Sequence, residues 1–245
     1  MKKVLIIGAT SAIAAHCARI WATKGYALHL VARNEQRLQT IAADLKVRGA
    51  TKVSTYCTDL NHMENHNELL DKADGSLGSV DIVLVAHGTL SNQKACELSV
   101  EETFAEIHTN ALSTVSLLTL IANRFETKRK GTICVISSVA GDRGRASNYV
   151  YGSAKAMLTS FTSGLRQRLN KSNVVVVTIK PGFVDTPMTS EFKKGLLWTN
   201  PNVVAKSILK AIDSQKSEVY VPGFWWVIML FIRIIPNKIF RKIFL

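Results

Sequence analysis

The chain has 245 residues, of which 47% are hydrophobic, which is ordinary for a globular protein and enough for one α/β domain with a sizeable core. Its 31 Lys and Arg against 18 Asp and Glu give a net charge of +13, pointing to an anionic partner such as a phosphate or an anionic lipid. The cations are dispersed, with no basic stripe interleaved with stacking aromatics, so nucleic acid is not expected as a partner. Cys17, Cys57, Cys96 and Cys134 lie far apart with no CxxC, and a reduced, cytosolic chain is the simplest reading.

The first residues superficially resemble a secretory signal. The apolar run is too short and lacks a cleavage pattern, so Val4 to Ile7 predicts a central parallel strand. It runs into Gly8-Ala9-Thr10-Ser11-Ala12-Ile13-Ala14 and an Ala-rich helix to about Lys24. Strand, turn and helix in that order make a phosphate cradle, with backbone N–H groups and the helix dipole facing the anion. Gly8, Thr10, Ser11, Ala12 and Ile13 are its candidate contacts. Ala27 to Ala32 predicts a second strand. An acid at its end would bind ribose hydroxyls, whereas a base would accept a 2′-phosphate. The strand ends in Arg33-Asn34, with no acid. Arg33 reads either as a surface arginine opening a helix or as the phosphate receptor. A cation is unfavourable at a helix N-terminus, so the second reading is preferred, and with it NADPH over NADH.

Val53 to Cys57 predicts a third strand. After it, His62 and His66 flank Glu64 in the order H-x-E-x-H without a third ligand. An exposed polar helix turn is expected, and no metal site is assigned. Val80 to Val85 predicts a fourth strand, ending in Ala86-His87-Gly88. His87 reads as a proton carrier or as a packing side chain. A long helix is expected over about Val100 to Phe125, with Asn110 inside it, a poor residue for a helix interior.

Thr132 to Ile136 predicts a fifth strand, ending in Ser137 and Ser138. A Gly- and Arg-rich loop leads to a helix that runs to about Asn170 and carries Tyr151 and Lys155 four residues apart on one face. A cation about 4 Å from the phenol, at an effective dielectric near 20, is worth about 4 kcal/mol, or roughly 3 pKa units. That would bring the phenol near the working pH, where an acid–base catalyst performs best. Ser138 can hydrogen-bond a substrate oxygen beside it. Tyr-x-x-x-Lys alone also fits a solvated helix face; the Ser-Ser strand end and the N-terminal cradle argue against that reading.

Val174 to Ile179 predicts a sixth strand, followed by Lys180-Pro181-Gly182-Phe183-Val184-Asp185-Thr186-Pro187-Met188. Pro201 to Ser214 predicts a helix with Asn200 as N-cap and Pro201 at its first position. Glu218 to Val221 predicts the last strand. Strands alternating with helices give a doubly wound parallel sheet, Rossmann-like, in one domain over 1–222 with an extension over 223–245. In the extension, eleven of the twelve residues from Phe224 to Ile235 are apolar, and no acid follows Glu218. The run is too short for a bilayer, which takes about 20 residues. A helix lying in an anionic membrane interface and an oligomer contact both fit. The first is preferred because a buried protein interface is depleted of lysine.

With these motifs the chain resembles the short-chain dehydrogenase/reductase family over nearly its whole length. The resemblance implies a catalytic set of Asn110, Ser138, Tyr151 and Lys155, with Asn110 loosening its helix and holding a water near the lysine. It implies NADP(H) contacts at Asp59 and Leu60, at Ala86, His87 and Gly88, at Tyr151 and Lys155, at Pro181 and Gly182, and at Val184 and Thr186, which meet the carboxamide. It makes residues 189–199, with Phe192, Leu196, Leu197 and Trp198, a variable lid over the substrate. The family pattern Gly-x-x-x-Gly-x-Gly keeps Gly8 here but has Ala12 and Ala14 for the later glycines, which a negative φ would tolerate. The segments Ser138–Lys155 and Ile235–Lys242 look most like the decaprenylphosphoryl-2-keto-ribose reductases, which act after a flavin oxidase. The expectation is an NADPH-dependent ketoreductase on a lipid-linked or amphipathic substrate, homo-oligomeric, cytoplasmic and peripheral on the inner membrane face, with a flavin oxidase partner. Arg143 or Arg145 is expected to pair with a substrate phosphate; either one alone also reads as a solvated loop residue. A 3-oxoacyl or steroid-like ketone reductase and a silent NADP-sensing scaffold are the alternatives.

Overall fold

The computed structural model describes residues 1–243; the last two positions of the expected extension, 244 and 245, lie outside it. Seven parallel strands form one sheet: β1 Lys3–Ile7, β2 Ala27–Ala32, β3 Lys52–Cys57, β4 Ile82–Val85, β5 Gly131–Ile136, β6 Val174–Pro181 and β7 Glu218–Val221. Their order is β3-β2-β1-β4-β5-β6-β7. The helices are α1 Ala12–Thr23, α2 Glu35–Val47, α3 His66–Leu77, α4 Gln93–Leu98, α5 Val100–Ile107, α6 Ser113–Lys128, α7 Tyr149–Leu169, α8 Pro201–Asp213, α9 Phe224–Ile234 and α10 Asn237–Phe240.

The strand sequences explain the layering. Alternate residues of a strand face opposite sides, and here both sides are covered. On β1, Val4 and Ile6 join a core with Ala14, Trp21, Val204 and Ile208 of α1 and α8. Leu5 and Ile7 join the opposite core with Leu69, Leu117, Ile121 and Leu158 of α3, α6 and α7. Each fully buried Leu or Ile contributes about 1.5–3 kcal/mol, so the central strands anchor the fold. The order reverses between β1 and β4, and a crevice opens outside the carboxyl ends of these two strands.

Two elements differ from the sequence expectation. The helix expected over Val100 to Phe125 is α5 and α6 joined by a π-helical turn, His108–Leu112, with Asn110 inside it. A π turn is the usual way for a helix to absorb one residue that serves a site. The extension is helical, but one of its faces is taken by the protein. Trp225 and Met229, four residues apart on α9, are buried against Val139. Trp226, Phe231 and Ile234 remain 56%, 61% and 66% exposed, an apolar outer face. Among the described residues no helix is long and apolar enough to cross a membrane.

Candidate active site

The cradle sits where β1 meets the crevice. Gly8 has φ +82°, a left-handed conformation, and a Cβ on it would lie 2.5 Å from the backbone N of His87. The turn therefore nests against the loop after β4 only because position 8 is glycine. Its N–H and that of Ala9 both donate to Val31 O. Thr10 and Ser11 complete the turn, and Ser11 caps α1. Ala12, Ile13 and Ala14 lie in the first turn of α1 and are absent from the positive-φ residues, so the negative φ that alanine needs is met.

Arg33 stands exposed at the end of β2. Arg37, one turn further on, reaches back, its Nη2 donating to Thr10 O at 3.3 Å. Thr10, Ala12, Arg37 and Pro187 border a recess of about 320 Å³ beside the cradle. Sequence reading missed Arg37; its four-residue spacing from Arg33 was the available signal. Across the crevice, Asp59 Oδ1 accepts from Asn61 N, and Leu60 is buried. The polar turn that follows is not uniformly exposed. His62 is exposed and pairs with Glu64, but His66 is fully buried, its ring nitrogens 2.9 Å from Ser116 Oγ and 3.0 Å from Leu60 O. Both ring nitrogens are satisfied, so His66 is a strut under the Asp59–Leu60 turn.

Ala86, His87 and Gly88 line the loop after β4. His87 Nε2 lies 2.9 Å from Ser113 Oγ and 3.2 Å from Thr114 Oγ1, while its Nδ1 is buried without a partner. Burial, and then the Lys155 charge, pull its pKa down to about 3. The ring is thus held neutral at physiological pH and anchored on α6.

The catalytic candidates converge on this loop. Ser137 ends β5, its N–H donating to Ile179 O and its hydroxyl to Lys155 O, which clamps α7 to the strand end. A short 3-10 turn, Val139–Gly141, then packs on α7 backbone to backbone. A Cβ on Gly141 would lie 2.7 Å from Ala156 N, and one on Gly152 2.9 Å from Ala140 O. Two glycines thus let Ser138 approach Tyr151. Ser138 Oγ accepts from Ala140 N at 3.1 Å, which fixes the oxygen and leaves its O–H to donate. Lys155 Nζ lies 5.5 Å from the Tyr151 ring centroid. Asn110 Oδ1 accepts from Thr89 N, and its amide donates to Thr89 Oγ1 and Glu106 O. A Cβ on Gly88 would meet Asn110 Oδ1 at 2.5 Å and Lys155 Nζ at 3.4 Å, so these three groups meet at one point.

The electrostatics correct one expectation. In the cofactor-free chain burial dominates, and the Tyr151 phenol is not brought toward neutrality. Burial pushes the phenol up to about 12; the Ser138 hydrogen bond lowers it and the Glu106 charge raises it further. Burial also pulls Lys155 down to about 8, opposed by Glu106. Desolvation acts on the lysine as much as on the phenol, an effect that the four-residue spacing alone does not carry.

Pro181 ends β6, and Gly182 N donates to Val221 O. Val184 pairs with Thr199 in an isolated bridge, and the Thr186 N–H donates to Thr189 Oγ1. Of the lid residues, Trp198 stacks on Phe183 at 5.4 Å, Leu197 is exposed, and Leu196 is fully exposed.

The two loop arginines part company. Arg143 was expected at a substrate phosphate but turns to the tail. Its guanidinium donates to Ile232 O and Ile235 O at the end of α9 and to Asn237 Oδ1, and it stacks 3.7 Å from the Phe240 ring centroid. A helix C-terminus attracts a cation, and α9 supplies carbonyls that need donors. Arg145 stays beside the site, with a buried Nε that has no partner. Burial lowers its pKa. A buried cluster unseen in the sequence braces the same loop. Lys180, inside apolar β6, donates to Asp142 at 2.7 Å and Glu218 at 2.9 Å, and Tyr220 donates to Asp142 at 2.7 Å.

A family model described as short chain dehydrogenase matches residues 2–196. An uncharacterized oxidoreductase of Mycobacterium tuberculosis is 34% identical over 239 residues, 98% of this chain and 96% of its own. Another, of Streptomyces coelicolor, is 32% identical over 243 residues, 99% of this chain and 96% of its own. Among solved structures, an alcohol dehydrogenase of the archaeon Thermococcus sibiricus complexed with 5-hydroxy-NADP shares a TM-score of 0.77 at 25% identity, over 90% of this chain and 96% of its own. An actinorhodin polyketide ketoreductase with NADPH reaches 0.81 at 22% identity, over 91% and 97%, a likeness of fold alone.

Proposed function

This chain belongs to the short-chain dehydrogenase family, and we propose that it works as an NADPH-dependent ketoreductase on an amphipathic, lipid-linked keto substrate. The observation that carries the reading is the convergence of Ser138, Tyr151, Lys155 and Asn110 beside the Gly8 turn. The residues fit a dinucleotide. The turn after β1 leads into the N-terminus of α1, which suits a phosphate, His87 Nδ1 is a buried polar atom awaiting a partner, and Arg33 with Arg37 suits a 2′-phosphate. Bound there, the reduced nicotinamide would supply hydride to the carbonyl carbon.

The chain's own residues then handle the proton. The Tyr151 phenol, protonated throughout the physiological range, donates to the carbonyl oxygen. Ser138, hydrogen-bonded to the phenol in the cofactor-free chain, would turn its O–H to that oxygen and orient it. Lys155 stabilises the phenolate left behind, and Asn110 supports the relay on the far side of the lysine. Of the two loop arginines, Arg145 is then the one assigned to the substrate phosphate, its Nε being buried without a hydrogen-bond partner. The outer face of α9, apolar and followed by Lys238, Arg241 and Lys242, is complementary to an anionic membrane interface. There the phosphate of a polyprenyl-phosphate sugar would lie at headgroup depth. The keto group would come from a preceding oxidation step, the place that the resemblance gives to a flavin oxidase.

NADPH consumption on keto-sugar phospholipids and on 3-oxoacyl thioesters tests this. Turnover is expected on the phospholipids, with NADPH preferred to NADH. Tyr151→Phe should lower kcat by about 10²–10⁴-fold while NADPH affinity stays nearly unchanged. Faster turnover of thioesters would reassign the substrate. Substantial activity in Tyr151→Phe would reject the proton donor, and no turnover on either class would favour a silent scaffold.

A further inference from the structure

One charged side chain in the catalytic group has no place in the mechanism above. Glu106 is 5% exposed and lies in the last turn of α5, just before the π turn that carries Asn110. A buried carboxylate is costly unless hydrogen bonds and an opposite charge compensate it. Both kinds of compensation come from the active site. Glu106 Oε2 accepts from Thr89 Oγ1 at 2.8 Å, and Oε1 accepts from Ser91 N at 3.3 Å. The Thr89 hydroxyl has one proton, and the carboxylate takes it. Its oxygen is thereby left to accept from the Asn110 amide at 3.0 Å. The direction of the chain is fixed: Asn110 to Thr89 to Glu106. It orients the carboxamide so that Oδ1 faces Thr89 N and the Gly88 backbone, next to Lys155 Nζ.

We propose that Glu106 is a positioning residue of the catalytic group: through Thr89 it fixes the Asn110 carboxamide, and it is the counter-charge of the Lys155 ammonium. Lys155 Nζ and Asn110 Oδ1 meet beside Gly88, two hydrogen bonds from the Glu106 carboxylate, and the titratable groups that bear on the lysine are Tyr151 on its own helix, His87 from the loop after β4, and Glu106 from α5. Burial holds the first two uncharged near neutral pH, leaving Glu106 as the anion that opposes the desolvation of the lysine. A neutral amide would keep the hydrogen bond to Thr89 and lose the charge. A valine at 89 would keep the charge and break the link.

The test uses the cofactor-free protein and no substrate, so it stands apart from the identity of the ketone. With ¹³C-labelled lysine, the Lys155 resonance is assigned by its loss in Lys155→Met and titrated. Its midpoint, about 8 in the unmodified protein, is expected to fall by about one pH unit in Glu106→Gln and to stay close to its original value in Glu106→Asp, which keeps the charge. An unchanged midpoint in Glu106→Gln, or an equal fall in both variants, would overturn the counter-charge role. Independently of whether Glu106→Gln folds, hydrogen exchange of the Asn110 side-chain amide is expected to quicken about tenfold in Thr89→Val and to be restored in Thr89→Ser. Equal exchange in Thr89→Val and the unmodified protein would overturn the positioning role.

Discussion

Lys155 shows how far one side chain's surroundings can move it from its type. Its ordinary value is 10.5, and burial brings it to about 8 in the folded chain. Between those values the unfolded state binds a proton that the folded state has released, so stability rises with pH across that window and the gain is complete above 10.5. Relative to Lys155→Met, in which the other titrations cancel, the cofactor-free protein is expected to gain about 2 kcal/mol between pH 8 and 10. Urea unfolding of both proteins at the two pH values measures it; a flat difference would show that the lysine is not desolvated. Tyr151, Lys155 and Ser138 stood out in the sequence by type and spacing, and the family resemblance added Asn110. Glu106 and Lys180 were not. An acid in a helix and a lysine in a strand look solvated until the tertiary fold encloses them, and only burial shows that each has a charge partner.

At the level of elements, the loop between Ser138 and Tyr151 is held from three sides. Gly141 and Gly152 seat it on α7, the Lys180–Asp142–Tyr220 cluster ties it to the sheet edge, and Val139 and Arg143 hold it against α9. Burial would lower the Lys180 pKa, but Asp142 and Glu218 more than offset this and hold it above its ordinary value. Lys180→Ala would leave Asp142 buried without its cation and is expected to cost about 3–5 kcal/mol by chemical denaturation. A loss below about 1 kcal/mol would mean that the cluster is wet or dispensable. That α9 is a helix was legible in the sequence, but its orientation was not. With eleven of twelve residues apolar there is no polar face to mark the inner side, and the choice of Trp225 over Trp226 is made by the fit of Trp225 against Gly182 and Phe183. The loosening of the helix at Asn110 was implied by the resemblance, but not its form, because a π turn has no periodicity of its own.

Taken whole, the molecule pairs a net charge of +13 with one outward apolar helix face, the combination that an anionic lipid interface would take up. Trp226 and Phe231 point away from the core, so replacing both with Glu is expected to leave the thermal midpoint nearly unchanged. Binding to vesicles containing phosphatidylglycerol should weaken about tenfold or more. Binding of the unmodified protein should weaken with salt, since screening acts over about 10 Å at 0.1 M. If the unmodified protein instead forms a dimer in sedimentation that the double substitution abolishes, with vesicle binding absent in both, the face belongs to a second copy. The strand order carries a different consequence, for synthesis on the ribosome. After β1, strands β2 and β3 extend one side, and β4, β5, β6 and β7 extend the other in succession. Each emerging strand therefore docks on an edge already exposed, and none inserts between partners already joined, so the sheet can lengthen as the polypeptide emerges from the N-terminus. Helix α9 follows β7, so the Ser138 loop and the Gly182 turn gain their common cover only after the whole sheet has emerged.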